Sequence, residues 1–188
     1  MSAFNGSSFE QVESDPANVF CPGCLDFLFQ VQNNSNSNQS ITRIEETGFV
    51  TTIGGVTMTY QTDVGYDSQS LGSGILCGID DGGFCNNGDP ATVPVTVDRS
   101  LDGNVVGFNF PLGVIPGEST VDIVIETDAK SFIHPVATVF GSKGGTGTLD
   151  IYGPSGPPVG SATPEPSMLL LFATGLLGLA GVTAMHRK

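Results

Sequence analysis

Apolar and polar residues alternate along much of the chain. In CLDFLFQVQ, residues 24–32, Leu25, Phe27, Phe29 and Val31 alternate with Asp26, Leu28, Gln30 and Gln32, the period of two expected of a half-buried strand. After the polar connection NNSNSNQS, residues 33–40, the strand-like ITRIEETGFV follows. GVTMTYQT repeats the alternation, with Val56, Met58 and Tyr60 on one face and Thr57, Thr59 and Gln61 on the other, and predicts a strand with one wet face. Residues 63–92 are rich in Gly, Asn and Asp and predict a surface loop. VPVTVDRS, NVVGFNF, STVDIVIETD, SFIHPVATVF and GTLDIYG come next, at intervals of roughly ten to fifteen residues, separated by turn signals such as Asp102-Gly103-Asn104 and Pro116-Gly117.

Regularly spaced short strands of this kind predict an all-β fold, an antiparallel Ig-like or jelly-roll-type β-sandwich over residues 21–152. Its inner face would carry Val106, Phe108 and Phe110 from one strand and Val121, Ile123 and Ile125 from another. Residues 1–20 form an N-terminal segment with neither a basic start nor an apolar run of 7 to 15 residues, so no signal peptide is read there. That lack conflicts with an exported body and points to a misassigned start or a fragment. Residues 153–163 form a Pro/Gly spacer. From Met168 to Met185 the chain carries no formal charge, which as a helix gives about 27 Å, close to the roughly 30 Å of a bilayer core. A single C-terminal transmembrane helix over 168–185 is the expectation, and the basic end, Arg187 and Lys188, would hold the C-terminus on the cytoplasmic side of an inner membrane.

Charge narrows the function. Lys and Arg number 6 against 19 Asp and Glu, a formal net charge of -13, which repels phosphate backbones and sets nucleic-acid partners aside. The 26 Gly and 12 Pro favour short strands over long soluble helices.

Four cysteines, Cys21, Cys24, Cys77 and Cys85, fit structural disulfides in an oxidising compartment. Cys21 with Cys24 and Cys77 with Cys85 is one pairing, and cross-pairing is equally open. The Cys21-Pro22-Gly23-Cys24 spacing also suits a redox dithiol, but such a site needs the first cysteine at a helix N-terminus, and here a strand follows. Asp80, Asp81 and Asp89, with Asn86 and Asn87, concentrate oxygen ligands suited to calcium in one loop, without the EF-hand register, so a solvated acidic turn is the plainer expectation. His134 is the only histidine before the tail, and neither a G-x-S-x-G nor an H-E-x-x-H pattern is present, so the body is expected not to be an enzyme and to need no cofactor. A hydrolase would require two carboxylates brought together in a cleft.

The tail, TPEPSMLLLFATGLLGLAGVTAMHRK, joins Pro164-Glu165-Pro166 to an apolar span and a basic end, and in that order it resembles the PEP-CTERM sorting signal, also labelled an ice-binding protein C-terminal motif. The resemblance covers about residues 161–188. It implies that Pro164, Glu165 and Pro166 are recognised by exosortase, a membrane-embedded cysteine transpeptidase or protease of exopolysaccharide-producing Gram-negative bacteria, and that the span, part of a 164–188 signal, is then removed. Prolines cannot continue the helix, so the handle is held extended and clear of the bilayer. The segments CLDFLFQV, TDVGYDS, VPVTVDRS, VVGFNFP and GVIPG resemble the exported domain that often precedes such tails. The implied destination is the cell surface or an exopolysaccharide matrix. Calcium-assisted adhesion or carbohydrate binding is the alternative role, and a cell-surface hydrolase a third.

Overall fold

The protein is described by a computed structural model covering residues 4–67 and 92–160. These residues form thirteen strands: β1 (Gly6–Asp15), β2 (Cys24–Asn33), β3 (Ile41–Thr47), β4 (Val50–Ile53), β5 (Val56–Thr59), β6 (Thr62–Asp67), β7 (Thr96–Arg99), β8 (Val105–Val114), β9 (Asp122–Thr127), β10 (Ser131–Ile133), β11 (Val136–Gly141), β12 (Thr146–Asp150) and β13 (Gly153–Ser155). No helix occurs among the described residues. The expected transmembrane helix, 168–185, and the residues Cys77, Cys85, Asp80, Asp81, Asp89, Pro164, Glu165, Pro166, Arg187 and Lys188 lie outside them.

The strands build a four-stranded sheet in the order β1-β2-β9-β6 and a five-stranded sheet in the order β12-β11-β3-β8-β7, with small ribbons β4-β5 and β10-β13. Every pairing between these strands is antiparallel. Inward residues of both large sheets share one core, and the rings of Phe29 (β2) and Phe108 (β8) meet edge to face at 5.5 Å across it. The six positions expected on the inner face, Val106, Phe108, Phe110, Val121, Ile123 and Ile125, are all buried.

Several elements differ from the alternation pattern. The β1 strand runs through the weakly apolar GSSFEQVESD and pairs along its whole length with β2. The second strand is buried on both faces, not one: Asp26, Leu28 and Gln30 are as inaccessible as Phe27 and Phe29, because the 16–23 loop and neighbouring strands cover its outer side. GVTMTYQT does not line a sandwich face. Its strand β5 pairs only with β4, and both sides of that ribbon are largely wet except at buried Tyr60. ITRIEETGFV divides at Gly48, whose φ of +104° a side chain would resist, and SFIHPVATVF divides at His134-Pro135, where proline cannot donate to a ladder. The first residues of the expected 63–92 loop belong instead to strand β6, which pairs with β9.

Candidate functional site

Three local arrangements carry the polar chemistry of the described body. The first closes the β1–β2 hairpin. Cys21-Pro22-Gly23-Cys24 forms a tight turn in which the Cys24 N–H donates to the Cys21 carbonyl at 2.9 Å, and Gly23 takes φ +70° after a proline, as a type II turn requires. Cys21 and Cys24 are joined as a disulfide. Of the pairings open in the sequence, this one is present, and it leads into strand β2 instead of a helix. So short a closed loop removes little chain entropy from the unfolded state, so the bridge mainly shapes the turn.

Buried Asn18 organises the same loop. Its Oδ1 accepts from the backbone N–H of Phe20 at 2.9 Å and of Cys21 at 3.2 Å, while its Nδ2 donates to Asp26 Oδ1 at 2.6 Å and to the Thr127 carbonyl at 3.1 Å. Asp26 belongs to a transverse acidic row on the outer face of the four-stranded sheet. Glu13 stands opposite Asp26, Asp26 opposite Glu126, and Glu126 opposite Asp63, one carboxylate from each of the four strands. Like charges placed this way destabilise a sheet. Carboxylate oxygens of Asp15, Asp26 and Glu126 lie within 4.8 Å of one another, and Glu126 Oε2 is buried without a hydrogen-bond partner. Burial pushes the Asp26 carboxyl up to about 6; the Asn18 hydrogen bond opposes this, and the neighbouring Glu126 and Asp15 charges add to it. Beside the row, a groove of about 280 Å³ runs between Val19 and β6, floored by Gly65 and Val124 and bordered by Asp63, Glu126 and half-exposed Tyr66.

A second polar cluster lies between the sheets. Glu46 on β3 is wholly buried, Glu10 on β1 faces it, and His134 Nδ1 stands 3.8 Å from Glu10 Oε1. The His134 ring also packs on Tyr152, centroids 4.0 Å apart. His134 therefore sits in a linker between β10 and β11 and is held by an aromatic and a carboxylate.

The third arrangement is on the outer face of the five-stranded sheet. Arg43 grips Asp98 through two 2.6 Å bonds and also reaches Asn109 at 2.6 Å. Its guanidinium lies over Gly107, where a Cβ would collide with it. The fork of Arg43 holds the Asp98 carboxyl down at about 2.

None of Glu10, Asp15, Asp26, Glu46 or Glu126 stands out in the chain as a site. The one available signal is an acidic residue interrupting a strongly apolar strand, as Asp26 does in CLDFLFQ and Glu46 in ITRIEET. Comparison with known families shows that residues 162–188 match the PEP-CTERM protein-sorting motif. No curated protein and no solved structure matches the chain.

Proposed function

We propose that the chain is an exosortase substrate: an exported, non-enzymatic protein, held in the inner membrane by a helix over 168–185 and delivered after processing to the cell surface or the exopolysaccharide matrix. The matched sorting motif over 162–188 carries this reading. Pro164, Glu165 and Pro166 serve as the recognition handle and Arg187 and Lys188 orient the span, which leaves the body outside the cytoplasm. The body reads as a sandwich of Ig-like or jelly-roll type, supported by two antiparallel sheets with one shared core. Its Cys21–Cys24 bridge suits an oxidising destination. Glu10 and Glu46 do not serve a hydrolase, since Glu46 offers no surface to a substrate; the close carboxylates beside a groove are Asp26 and Glu126, and they are the pair a hydrolase would have to use.

Replacing Pro164, Glu165 and Pro166 by alanine tests the proposal. Mass spectrometry of the membrane and surface fractions should show the shortened form lost and the full-length chain accumulating in the membrane. Unchanged processing and delivery would refute it.

A second reading, calcium-assisted adhesion or carbohydrate binding, is favoured by the three carboxylates of Asp15, Asp26 and Glu126 within 4.8 Å of one another. These supply oxygen ligands of the kind a hard cation takes, and Tyr66 offers a flat face to a sugar ring beside them. At calcium well above a millimolar-range Kd the expected stabilisation is about 1–3 kcal/mol. Because Asp26 must be ionised to bind, the rise in melting temperature should appear at pH 7.5, fade below about pH 6, and vanish in Asp26→Asn. Retention of the protein on purified exopolysaccharide, with and without chelator, separates a binding module from a passive matrix component.

A further inference from the structure

Glu46 stands on the inner face of β3, two residues beyond core residue Ile44 and in register with buried Val106. It has no exposed surface, and neither of its carboxyl oxygens has a hydrogen-bond partner. Glu10 comes toward it from the opposite sheet, in register with core residue Phe29, and its Oε2 is likewise buried and without a partner. The surroundings close the seam: a Cβ at Gly153 would lie 2.7 Å from the Pro135 ring and 3.5 Å from Glu46 Oε1.

The charged groups around the pair offer little compensation. Glu10 is the one that acts on Glu46; His134 from the β10–β11 linker, Asp150 from the end of β12 and the Tyr152 backbone N–H act on Glu10 in turn. The body's cations are engaged elsewhere: Arg43 with Asp98 and Glu45, Arg99 with the Tyr60 and Gly103 carbonyls, Lys130 with the Pro22 carbonyl and Lys143 with the Asn38 carbonyl. An ionised Glu46 would lack solvation inside the seam and would be repelled by the charge of Glu10, whose side chain is 19% exposed.

We infer that Glu46 and Glu10 form a proton-dependent latch between the two sheets. With Glu46 neutral the seam stays closed, and ionisation of Glu46 loosens it and releases the edge strand β1. Burial first, and the Glu10 charge second, push the Glu46 carboxyl well above its ordinary 4.5, while burial also pushes Glu10 up. A carboxyl that holds its proton more tightly in the folded than in the unfolded chain adds stability at low pH. That contribution drains away as pH rises from about 4.5 through the folded-state value.

The test compares the full chain in detergent micelles with Glu46→Gln across pH 5 to 9, in chelator-treated buffer, by thermal melting and by hydrogen-exchange protection of the β1 amides. Between the two ends of the range the melting temperature of the parent should fall by about 5 °C more than that of Glu46→Gln, with β1 protection falling alongside it. Parallel pH curves for the two proteins would overturn the latch. So would a melting temperature at pH 9 raised by calcium, manganese or zinc in the parent but not in the variant, because the pair would then be a cation site. If Glu46→Gln fails to fold, Glu10→Gln takes its place: it removes the facing charge and should reduce the pH-dependent loss, and an unchanged curve would again overturn the inference.

Discussion

Phe108→Ala lowers stability by about 3–5 kcal/mol, the usual range for emptying a phenylalanine site in a core. Phe108 has no exposed surface and lies on β8, flanked in register by Ile44 of β3 and Val97 of β7. Its ring edge meets Phe29 of the other sheet, so truncation leaves a cavity between the layers and also removes an aromatic contact worth roughly 0.5–1.5 kcal/mol beyond its area. Against a typical total of about 5–15 kcal/mol that loss is roughly a fifth or more, and urea unfolding should show the midpoint falling with little change in slope. Leu112→Ala on the same strand is the control. Leu112 is 92% exposed, so its truncation should stay within about 0.5 kcal/mol. Comparable losses at the two positions would mean that the sheets do not pack through Phe108.

The same strand shows what an amino-acid pattern can reveal. Val106, Phe108 and Phe110, like Val121, Ile123 and Ile125, recur at every second position and are all buried, because each sheet has one face on the core. The pattern misleads where a second layer covers the outer face. On β2, Asp26 and Gln30 read as solvent-facing, yet Asn18 folds over Asp26, and Gln30 donates to the Thr120 carbonyl, which lets polar side chains be buried. Strands β1 and β6 are the outermost strands of their sheet, where one flank needs no apolar neighbour, so GSSFEQVESD and TDVGYD hold strand geometry with little hydrophobic signal. The β4–β5 ribbon fails in the opposite sense: GVTMTYQT alternates well, but outside the two large sheets its Val56 has no core to meet and remains exposed.

The polar sites were less legible than the core, for a related reason. Glu13, Asp26, Glu126 and Asp63 are distant in the chain and become neighbours only through the register of four strands. Glu10 and Glu46 meet only when two sheets stack. The sorting motif is the reverse case, because its Pro-Glu-Pro, apolar run and basic end are contiguous in the chain and need no tertiary fold to be recognised.

Asn18→Ala costs about 2–3 kcal/mol at neutral pH, and the cost depends on pH in a way that identifies its origin. The substitution removes four hydrogen bonds: two that hold the Phe20 and Cys21 amides and two that tie the loop to Asp26 and Thr127. Individual bonds contribute about 0.5–1.5 kcal/mol, and leaving a buried acceptor charged and unmatched costs more. Asp26 holds its proton up to about 6 in the folded protein, so below that pH the carboxyl is largely neutral and tolerates the loss of its donor. Above it, the ionised carboxylate beside Glu126 and Asp15 has lost the one interaction that favours its charged form. The penalty should therefore be smaller at pH 4.5 than at pH 8. Asn18→Asp separates the two roles of the side chain, since an aspartate can still accept from the Phe20 and Cys21 amides but cannot donate to Asp26 when ionised. It should fall well below the parent at pH 8 and approach it as the pH drops and the carboxylates protonate. Urea midpoints of both variants at the two pH values measure this. Equal losses for Asn18→Ala at pH 4.5 and 8 would assign the whole effect to the loop amides and remove Asp26 from it.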